Sequence, residues 1–278
     1  MFIILMYAII FSIKRSRNLH IVVCIKQVAD TNNVRWSKEN NLLREGMLSI
    51  LNPCDNWAIE RALEIKKKFK NATVSVFSMG PMQAKNVVEY AIARGCDRGI
   101  LLCDKAFAGS DTLSTGRILS SAIKKIVPDF NLIICGQYAQ DGDTAQTGPT
   151  LAGFLNIPVV TCVDEIVNSD MKMSILKQNL AEGINIVEVQ NPCVVCVLKS
   201  NGAIKPLCVA DYVRAQDIGV EIFDIKKLGL NPSQTGILGS PTFVSKAFKL
   251  KHNRRQIAIE NPKDFLCKII TSGGKIGE

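Results

Sequence analysis

The amino-acid sequence predicts an α/β fold with a doubly wound, mostly parallel β-sheet and a smaller antiparallel extension. Between residues 20 and 155, apolar strand-like runs alternate with amphipathic helix-like segments, which is the pattern of β-α-β units with parallel strands. After residue 158 the runs become shorter and richer in strand-forming residues, which favours antiparallel pairing. A length of 278 residues, with 47% hydrophobic and 21% charged residues, suffices to bury the core of such a fold.

The first strand is predicted at residues 20–28, and the helix after it begins at about Asn56, where apolar side chains recur at roughly helical spacing. Asn52 or Asp55 is the candidate N-cap of this helix, with Pro53 beside them. The next elements alternate: a strand at 72–80, a helix at 82–95, a strand at 99–104, a helix at 110–127, a strand at 131–137 and a helix at 144–155. The antiparallel extension is predicted from four runs and a hairpin-like turn at 181–185. The runs are 158–167, 172–178, 185–190 and 193–198.

Two terminal segments differ from the rest of the chain. Residues 1–13 are nearly all apolar, but a membrane-spanning helix needs about 20 such residues. A signal peptide carries its basic residues before the apolar run, whereas here they follow it. We therefore expect residues 1–19 to be an extension outside the fold, without stable membrane insertion. A short peripheral membrane anchor is the alternative.

The second unusual segment is a basic run near the other end, Lys246–Arg255, in a chain of formal net charge +9. Such a run can contact nucleic acid or anionic lipid. Tyr and Trp, which can stack on bases, are scarce, however, with four Tyr and two Trp in the whole chain and none of them in the run. We expect no nucleic-acid partner and interpret the run as a solvated arm, or as one that rests on an acidic partner subunit.

The ten cysteines are scattered, and several lie inside apolar strand-like runs, among them Cys24, Cys103 and Cys135. Buried free thiols in a reducing cytoplasm explain this distribution better than a disulfide framework. The C-x-x-C pair of Cys193 and Cys196 falls in a strand-like run, where the two side chains face opposite sides, and neither of the two His residues is near. A zinc site is therefore not expected.

Four loops follow predicted strands, and the carboxyl ends of parallel strands meet at one edge of a sheet, where nucleotides commonly bind. No G-x-G-x-x-G motif follows a strand, and no phosphate-binding P-loop motif is present. A hydrolase triad is hard to form, because His20 lies at a strand start, His252 lies in the basic run, and no G-x-S-x-G motif exists. The pattern alone therefore supports a nucleotide pocket of unspecified type.

The loop at 136–147 has a strand-to-helix position, two acids (Asp141 and Asp143) and no basic residue. We expect Asp143 to be the N-cap of a helix that begins near Thr144, and Gly142 to allow a turn that other residues resist. The residues that follow would present neutral donors to a phosphate, aided by the helix dipole: Ala145, Gln146 and Thr147. Asp141 either accepts from a ribose hydroxyl or holds the turn. Acid–base chemistry by the two carboxylates stays open.

Five ordered motifs resemble the β subunit of electron-transfer flavoproteins: residues 21–28, 51–66, 79–84, 95–115 and 136–158. The resemblance implies a Rossmann-like α/β domain of adenine-nucleotide-binding type at 20–225 and a C-terminal arm at 226–278 that contacts a partner subunit. It also implies a heterodimer with an α subunit that holds FAD, while the β subunit binds AMP or a second FAD.

The resemblance further implies which residues line the nucleotide pocket. They come from the loops after three strands and from the turn before the first helix: Cys24, Leu51, Asn52, Pro53, Cys54, Ser78, Met79, Gly136, Gln137, Tyr138, Gln140, Asp141, Gly142, Asp143, Thr144, Ala145, Gln146 and Thr147. Two segments, 79–84 and 104–115, are similar to β subunits that carry a bifurcating FAD and oxidise NADH, rather than to those that hold AMP. In that case six more residues approach the flavin or its diphosphate: Asp104, Phe107, Ala108, Asp111, Thr112 and Thr115. The alternative is a flexible loop with Asp111 as a helix N-cap.

One segment departs from the family pattern. Where the family shows an N-E-P-R-Y stretch before the partner-recognition helix, this chain retains Asn201 and a Tyr212–Ala215 turn but lacks the Glu and the Arg. Leu207 or Val209 is the candidate anchor for an acyl-CoA dehydrogenase, and the identity of that partner stays open.

The leading hypothesis is an electron carrier that has no acid–base side chain of its own, because the flavin supplies the chemistry and the protein positions it. Electrons would pass between NADH, or a dehydrogenase, and other acceptors. A stand-alone adenine-nucleotide sensor of similar fold is the alternative. An adenylyl-transfer enzyme is disfavoured because the Lys and His constellation that it needs is missing.

Overall fold

The computed structural model describes residues 18–30, 35–36, 42–43, 49–242, 261, 263 and 265–267. Residues 1–17 and the basic run at 246–255 lie outside the described residues, so the predictions made for them stay predictions. No helix in the described part is long and apolar enough to cross a membrane.

The described residues form thirteen strands. In chain order they are β1 (Leu19–Ile25), β2 (Gln27–Ala29), β3 (Arg35–Trp36), β4 (Leu42–Leu43), β5 (Ser49–Leu51), β6 (Ala72–Met79), β7 (Arg98–Leu102), β8 (Leu132–Gly136), β9 (Val159–Ser169), β10 (Met173–Leu180), β11 (Gly183–Gln190), β12 (Cys193–Val197) and β13 (Val220–Phe223). Nine of them form one sheet in the order β11-β10-β9-β12-β8-β1-β6-β7-β13. Two small pairs, β2 with β5 and β3 with β4, lie outside this sheet.

Six α-helices connect or follow these strands in the described part of the chain. They are α1 (Pro53–Lys68), α2 (Lys85–Arg94), α3 (Thr112–Ile126), α4 (Thr147–Leu155), α5 (Val209–Ile218) and α6 (Ile225–Leu228). Short 3-10 turns occur before α2 at Met82–Ala84, after β7 at Lys105–Phe107, and at Pro232–Gln234. As expected, α2 ends at Gly95, whose φ of 133° favours glycine.

Helices cover both faces of the nine-stranded sheet. Successive β1 side chains alternate between two apolar cores: Val23 packs in the core that includes residues of α1 and α2, whereas Val22 packs in the core that includes residues of α3 and α4. The first core also receives Ala215 of α5, and the second receives Ile225 and Leu228 of α6. The predicted doubly wound α/β fold is therefore confirmed.

The order of the strands reverses beside β1. The chain passes from β1 to β6 and β7 on one side, and then returns to place β8 on the other side of β1. The pairings among β9, β12, β8, β1, β6, β7 and β13 are parallel. The carboxyl ends of β1 and β8 therefore form a topological switch point, which is where sheets of this kind bind ligands.

The antiparallel extension consists of β9, β10 and β11, and the prediction that the run at 193–198 belongs to it was wrong. This run forms β12, which lies between β9 and β8 and is parallel to both. All five side chains of β12 are buried and apolar, so the strand suits the centre of a parallel sheet. Cys193 and Cys196 join cores on opposite faces, as predicted.

Residues 224–242 fold back over the loop between β7 and α3. The backbone N–H of Ile225 donates to Asp104 at 3.0 Å, and the Thr242 hydroxyl donates to Asp111 at 2.7 Å. The guanidinium of Arg117 donates to the Gln234 carbonyl at 3.0 Å. The first part of the predicted C-terminal arm therefore packs on the α/β domain itself, and its contact with a partner subunit stays a prediction.

Candidate nucleotide site

A single carboxylate joins the two strand ends at the switch point. Asp55 lies in the first turn of α1, which begins at Pro53 rather than at the predicted Asn56. Its Oδ2 accepts a hydrogen bond from the backbone N–H of Lys26, just after β1, at 2.7 Å. Its Oδ1 accepts from the N–H of Gly136, at the end of β8, at 3.2 Å. The first turn of α1 thereby fixes the separation of the two strand ends.

Asp55 is buried, with 5% of its surface exposed. Burial raises the pKa of its carboxyl to about 7, although hydrogen bonds from Asn52 and from the Lys26 and Gly136 amides act in the opposite direction. Asp55 was predicted only as an N-cap, and was not among the expected pocket residues. Asp55 lies four residues before Ile59 and seven before Ala62, which are both buried, so it is on the apolar face of the helix. An acid on such a face indicates a buried carboxyl group that is held by hydrogen bonds.

Asn52 makes the second connection between α1 and the 136–147 loop. It is the N-cap residue of α1 by position, but its side chain makes no capping bond. Instead its Nδ2 donates to the Tyr138 carbonyl at 2.9 Å, and its Oδ1 accepts from the Gln140 N–H at 3.1 Å. Its own N–H donates to the Lys26 carbonyl at 2.9 Å. Since only 1% of Asn52 is exposed, these bonds tie the start of the loop to a buried side chain.

The backbone of the loop differs from the expected capped turn. Gly142 and Asp143 both donate their N–H groups to the Ala139 carbonyl, at 3.2 and 2.8 Å. The left-handed conformations fall on Asp143 (φ 47°) and Ala145 (φ 53°) rather than on Gly142. The special role assigned to Gly142 was therefore wrong, because the left-handed conformations that make the turn occur at Asp143 and Ala145.

The helix after the loop starts later than predicted. α4 begins at Thr147 with Gln146 as its N-cap residue, so the assignment of Asp143 as the cap of a helix at Thr144 was wrong. No side chain caps this helix end, and the first-turn amides of a helix have no partner within it. Among the first three residues of α4, Pro149 carries no N–H, so the backbone donors unpaired within the helix are the amides of Thr147 and Gly148. These donors and the positive end of the helix dipole suit an anion.

The starts of α3 and α4 lie side by side. The Thr112 hydroxyl donates to Oε1 of Gln146 at 3.0 Å, and a Cβ on Gly116 would lie 2.7 Å from the Thr150 side chain. The two helices approach each other closely because Gly116 has no side chain there. The predicted site segments at 104–115 and 136–147 are therefore brought together.

A basic side chain that the sequence did not assign to the site also reaches the loop. Nζ of Lys26 lies 2.8 Å from Oδ1 of Asp141, and their side chains are 48% and 35% exposed. The loop has no Lys or Arg of its own, so its cation comes from the end of β1. The signal for Lys26 was its place directly after the apolar run of the first strand, at the ligand edge.

The loop between β7 and α3 uses several predicted residues for its own structure. Asp104 accepts hydrogen bonds from the N–H groups of Ala106 and Ile225, and these two bonds lower the pKa of its carboxyl. Phe107 is buried in the core beside α3. Asp111 caps α3 by accepting from the Ser114 N–H at 2.9 Å, as the alternative interpretation expected. Three further residues of the predicted set remain at least partly accessible: Ala108, Thr112 and Thr115.

The other predicted residues lie around the switch point or in the loop itself: Cys24, Leu51, Pro53, Cys54, Ser78, Met79 and Gln137. Ser78 is fully buried, and its hydroxyl has no hydrogen-bond partner within the described structure. Burial raises the pKa of the Cys54 thiol, and Tyr138 opposes that rise. Cys24 pairs in register with Cys135 of the next strand, and a hydrogen bond from Cys24 together with burial raises the pKa of the Cys135 thiol.

The donors gathered at this edge suit the binding of an anion. They are backbone amides, the hydroxyl of Thr147 and the ammonium of Lys26. Within the described residues, no group of three or more His, Cys, Asp and Glu side chains could hold a metal ion. The arrangement therefore offers hydrogen-bond donors and positive charge to an anion such as a phosphate.

A separate exposed surface surrounds α5, near the departure from the family pattern. Val209 is 80% exposed, and Tyr212 and Val213 of the same helix are about half exposed. The helix is attached to the domain through buried Ala215 and through Arg214, which donates to carbonyls at the end of α2. An apolar helix face of this kind is typical of an interaction surface.

Comparisons with known proteins agree with this architecture. A family model described as the electron transfer flavoprotein domain matches residues 41–221. The chain is 39% identical over 231 residues to the caffeyl-CoA reductase–Etf complex subunit CarD of Acetobacterium woodii, which covers 83% of this chain and 87% of the relative. It is 39% identical over 230 residues to the electron transfer flavoprotein subunit beta of Clostridium acetobutylicum (82% and 87% covered). It is 38% identical over 250 residues to protein FixA of Azotobacter vinelandii (87% and 89% covered).

Proposed function

The chain belongs to the electron transfer flavoprotein family, and on that premise we propose that it is the β subunit of a heterodimer that binds FAD and carries electrons. The relatives named as beta subunits imply an α subunit as the partner. The proposal places a nucleotide at the carboxyl ends of β1 and β8, above the 136–147 loop.

The observation that carries the proposal is the buried joint between α1, the end of β1 and this loop. Asn52 and Asp55 bind the loop backbone at Tyr138, Gln140 and Gly136, so the loop is shaped before any ligand arrives. A preformed loop loses less conformational entropy on binding than a mobile one. The first-turn amides of α4, which have no partner within the helix, then follow a loop of fixed shape.

The residues present fit an adenine nucleotide with a phosphate or diphosphate. The Thr147 and Gly148 amides supply donors for the anion, and a Cβ on Gly142 would meet nothing within 4 Å, so the loop is open on its outer side. When bound, FAD supplies the redox chemistry that amino-acid side chains lack. The protein's share is to hold the phosphates, orient the ligand and keep the loop in one conformation.

We propose FAD rather than AMP for this site, with AMP as the alternative. The hydrogen bond between Thr112 and Gln146 joins the β7–α3 loop to α4, which makes one continuous edge from the switch point to β7. A dinucleotide can extend along such an edge, whereas AMP needs only part of it. Ala108, Thr112 and Thr115 are the accessible residues toward that far end.

The electron donors and acceptors follow from the relatives and from the exposed helix. CarD is named as a subunit of a caffeyl-CoA reductase–Etf complex, which supports an acyl-CoA dehydrogenase or reductase as one partner here. We propose that this partner docks on α5, with Val209 or the neighbouring Leu207 as its anchor. NADH is the proposed electron donor if the site holds a second FAD.

The test is the nucleotide content of the purified heterodimer. The chain is co-expressed with its α subunit, and the FAD and AMP released by acid are counted per heterodimer, together with the absorbance spectrum. Two FAD are expected. One FAD with one AMP would show that AMP occupies the β site and would remove the support for NADH oxidation there. A stable, monomeric chain that takes up neither nucleotide would refute the β-subunit proposal.

A paired variant tests the position of the ligand. Thr147→Ala combined with Gly142→Val removes a donor and fills the open side of the loop, so nucleotide content should fall. Gly153→Ala is the matched control, because it lies in the same helix and its new Cβ would also meet nothing within 4 Å. Unchanged occupancy in the double variant would contradict the loop assignment.

A further inference from the structure

We propose that Lys26 is the cation of the nucleotide site, that Asp141 is its counter-ion in the ligand-free protein, and that a ligand phosphate takes the place of Asp141 on binding. The inference rests on the proposed function, since it assumes a nucleotide at this edge. It identifies a charged ligand-binding residue that lies outside the loop.

The first support is the electrostatic balance of the loop. Residues 136–147 contain Asp141 and Asp143 and no basic residue, so a phosphate approaching the loop meets negative charge. The helix dipole of α4 is worth only about half an elementary charge, and Pro149 removes one of the first-turn amides. A full positive charge at the site must therefore come from another segment.

The second support is the way the main chain of Lys26 is held. Its N–H donates to buried Asp55 at 2.7 Å, and its carbonyl accepts from the N–H of buried Asn52 at 2.9 Å. Both peptide groups are thus fixed at the switch point, directly beside β8. Because its backbone is fixed, Lys26 can place its ammonium group only within the reach of its four-carbon side chain, close to the switch point.

The third support is the weakness of the present ion pair. Nζ of Lys26 and Oδ1 of Asp141 are 2.8 Å apart, but both side chains are well exposed, at 48% and 35%. Solvated pairs of this kind contribute little stability, so Lys26 can leave Asp141 at small cost. A phosphate carries more charge than a carboxylate and accepts charge-assisted hydrogen bonds. Replacement of Asp141 by a ligand phosphate as the partner of Lys26 is therefore favourable.

The experiment compares two variants that break the same ion pair from opposite sides. Lys26→Met removes the cation and keeps the apolar stem, whereas Asp141→Asn removes only the counter-ion. The full chain, co-expressed with its α subunit and freed of the β-site nucleotide, is titrated with AMP and with ADP by calorimetry. Adenosine, which has no phosphate, is the neutral probe, and Lys26→Gln is a second neutral variant.

We expect Lys26→Met to weaken AMP and ADP binding about tenfold, the size expected for loss of one charge-assisted hydrogen bond. Asp141→Asn should bind both as tightly as the wild type or more tightly. Adenosine binding should be the same in the wild type and in Lys26→Met. The wild-type affinity for AMP should also fall more steeply with added KCl than that of Lys26→Met.

Equal losses in Lys26→Met and Asp141→Asn would overturn the inference, because they would mean that the pair only holds the loop. A loss confined to Asp141→Asn would overturn it as well and would assign Asp141 to the ribose. Either result leaves the proposed nucleotide site intact. A wild-type heterodimer that binds neither AMP, ADP nor FAD in the β subunit would instead refute the proposed function.

Discussion

Two loops at the carboxyl edge of the sheet are held in opposite ways. The 136–147 loop is held from within, because buried Asn52 and Asp55 of the α1 start bind its backbone. The 104–111 loop is held from outside, by residues 224–242 that fold back over it through partly exposed hydrogen bonds. One loop is attached to the start of α1, and the other is fastened by a later segment of the chain.

The difference lies in the burial of the side chains that hold each loop: Asn52 and Asp55 are at most 5% exposed, whereas Asp111 is partly exposed and Thr242 is exposed. A buried bond is costly to leave unmade, whereas an exposed one can be exchanged for a bond to water. We therefore expect the 104–111 loop to open locally while the domain stays folded, and the 136–147 loop to loosen only when its joint with α1 is damaged. Four substitutions test this contrast, beginning with the largest effect.

The largest effect is expected at Gly136, inside the buried joint. A Cβ there would lie 2.2 Å from Oδ1 of Asp55 and 2.9 Å from its backbone nitrogen, so Gly136→Ala should destabilise the protein by about 3 kcal/mol. Gly142→Ala is the control in the same loop, because its Cβ would meet nothing within 4 Å, and its stability should change by less than about 0.5 kcal/mol. Urea unfolding measures both, and equal values would show that the joint is not rigid.

Asn52→Ala should lower the free energy of unfolding by about 2 kcal/mol, since it removes two hydrogen bonds of a buried side chain, to the Tyr138 carbonyl and from the Gln140 N–H, each worth about 1 kcal/mol. Nucleotide affinity should fall with it, because the loop loses its fixed start. Asn71→Ala, at an exposed turn before β6, is the control and should leave both quantities unchanged. Full retention of affinity in Asn52→Ala would show that the ligand does not need the joint.

The pH dependence of stability tests the buried carboxyl. The pKa of Asp55 is raised to about 7 in the folded protein from an ordinary value of 3.8, so the folded state keeps a proton that the unfolded state has lost. This contribution to stability is fully present below pH 3.8 and is lost as the pH rises through about 7. Between pH 5.5 and 8.5 the free energy of unfolding of the wild type should fall by roughly 2 kcal/mol relative to that of Asp55→Asn. Parallel pH profiles for the two proteins would contradict the assignment.

The smallest effect is expected in the externally held loop. Asp111→Asn weakens the cap of α3 and the bonds from Thr242, which should cost about 1 kcal/mol. Hydrogen exchange should become faster at residues 105–112 and 234–242 while the amides of β1 and β8 keep their protection. Asp170→Asn, which weakens the turn between β9 and β10, is the control and should leave residues 105–112 unaffected. Uniform acceleration across the sheet would mean that both loops belong to one cooperative unit.

The sequence predicted the strand–helix alternation because each element has a local pattern. The apolar run of β6 and the glycine that ends α2 need no distant partner to be recognised. The position of β12 could not be predicted in this way, since three buried valines and two buried cysteines suit either a parallel or an antiparallel neighbour. Its neighbours, β8 and β9, are determined by the packing of the whole sheet.

The site shows the same limit. The 136–147 loop was predicted from its place after a strand, but Asp143 was misassigned because an acid followed by Thr has the local pattern of a helix cap. The backbone instead turns through left-handed conformations at Asp143 and Ala145 before α4 begins. Asp55 and Lys26 were missed because their roles depend on contacts with residues far along the chain, Gly136 and Asp141.

The bond between Asp55 and Gly136 spans 81 residues of chain, which has a consequence for the order of folding. During synthesis α1 emerges well before β8, and the Asp55 carboxyl lacks its Gly136 donor until β8 lies beside β1. Pairing of such distant segments is slow, because the intervening chain must close first. The joint between α1 and the 136–147 loop therefore forms late, on a nearly complete domain. A nucleotide that binds there should slow unfolding and leave the folding rate almost unchanged.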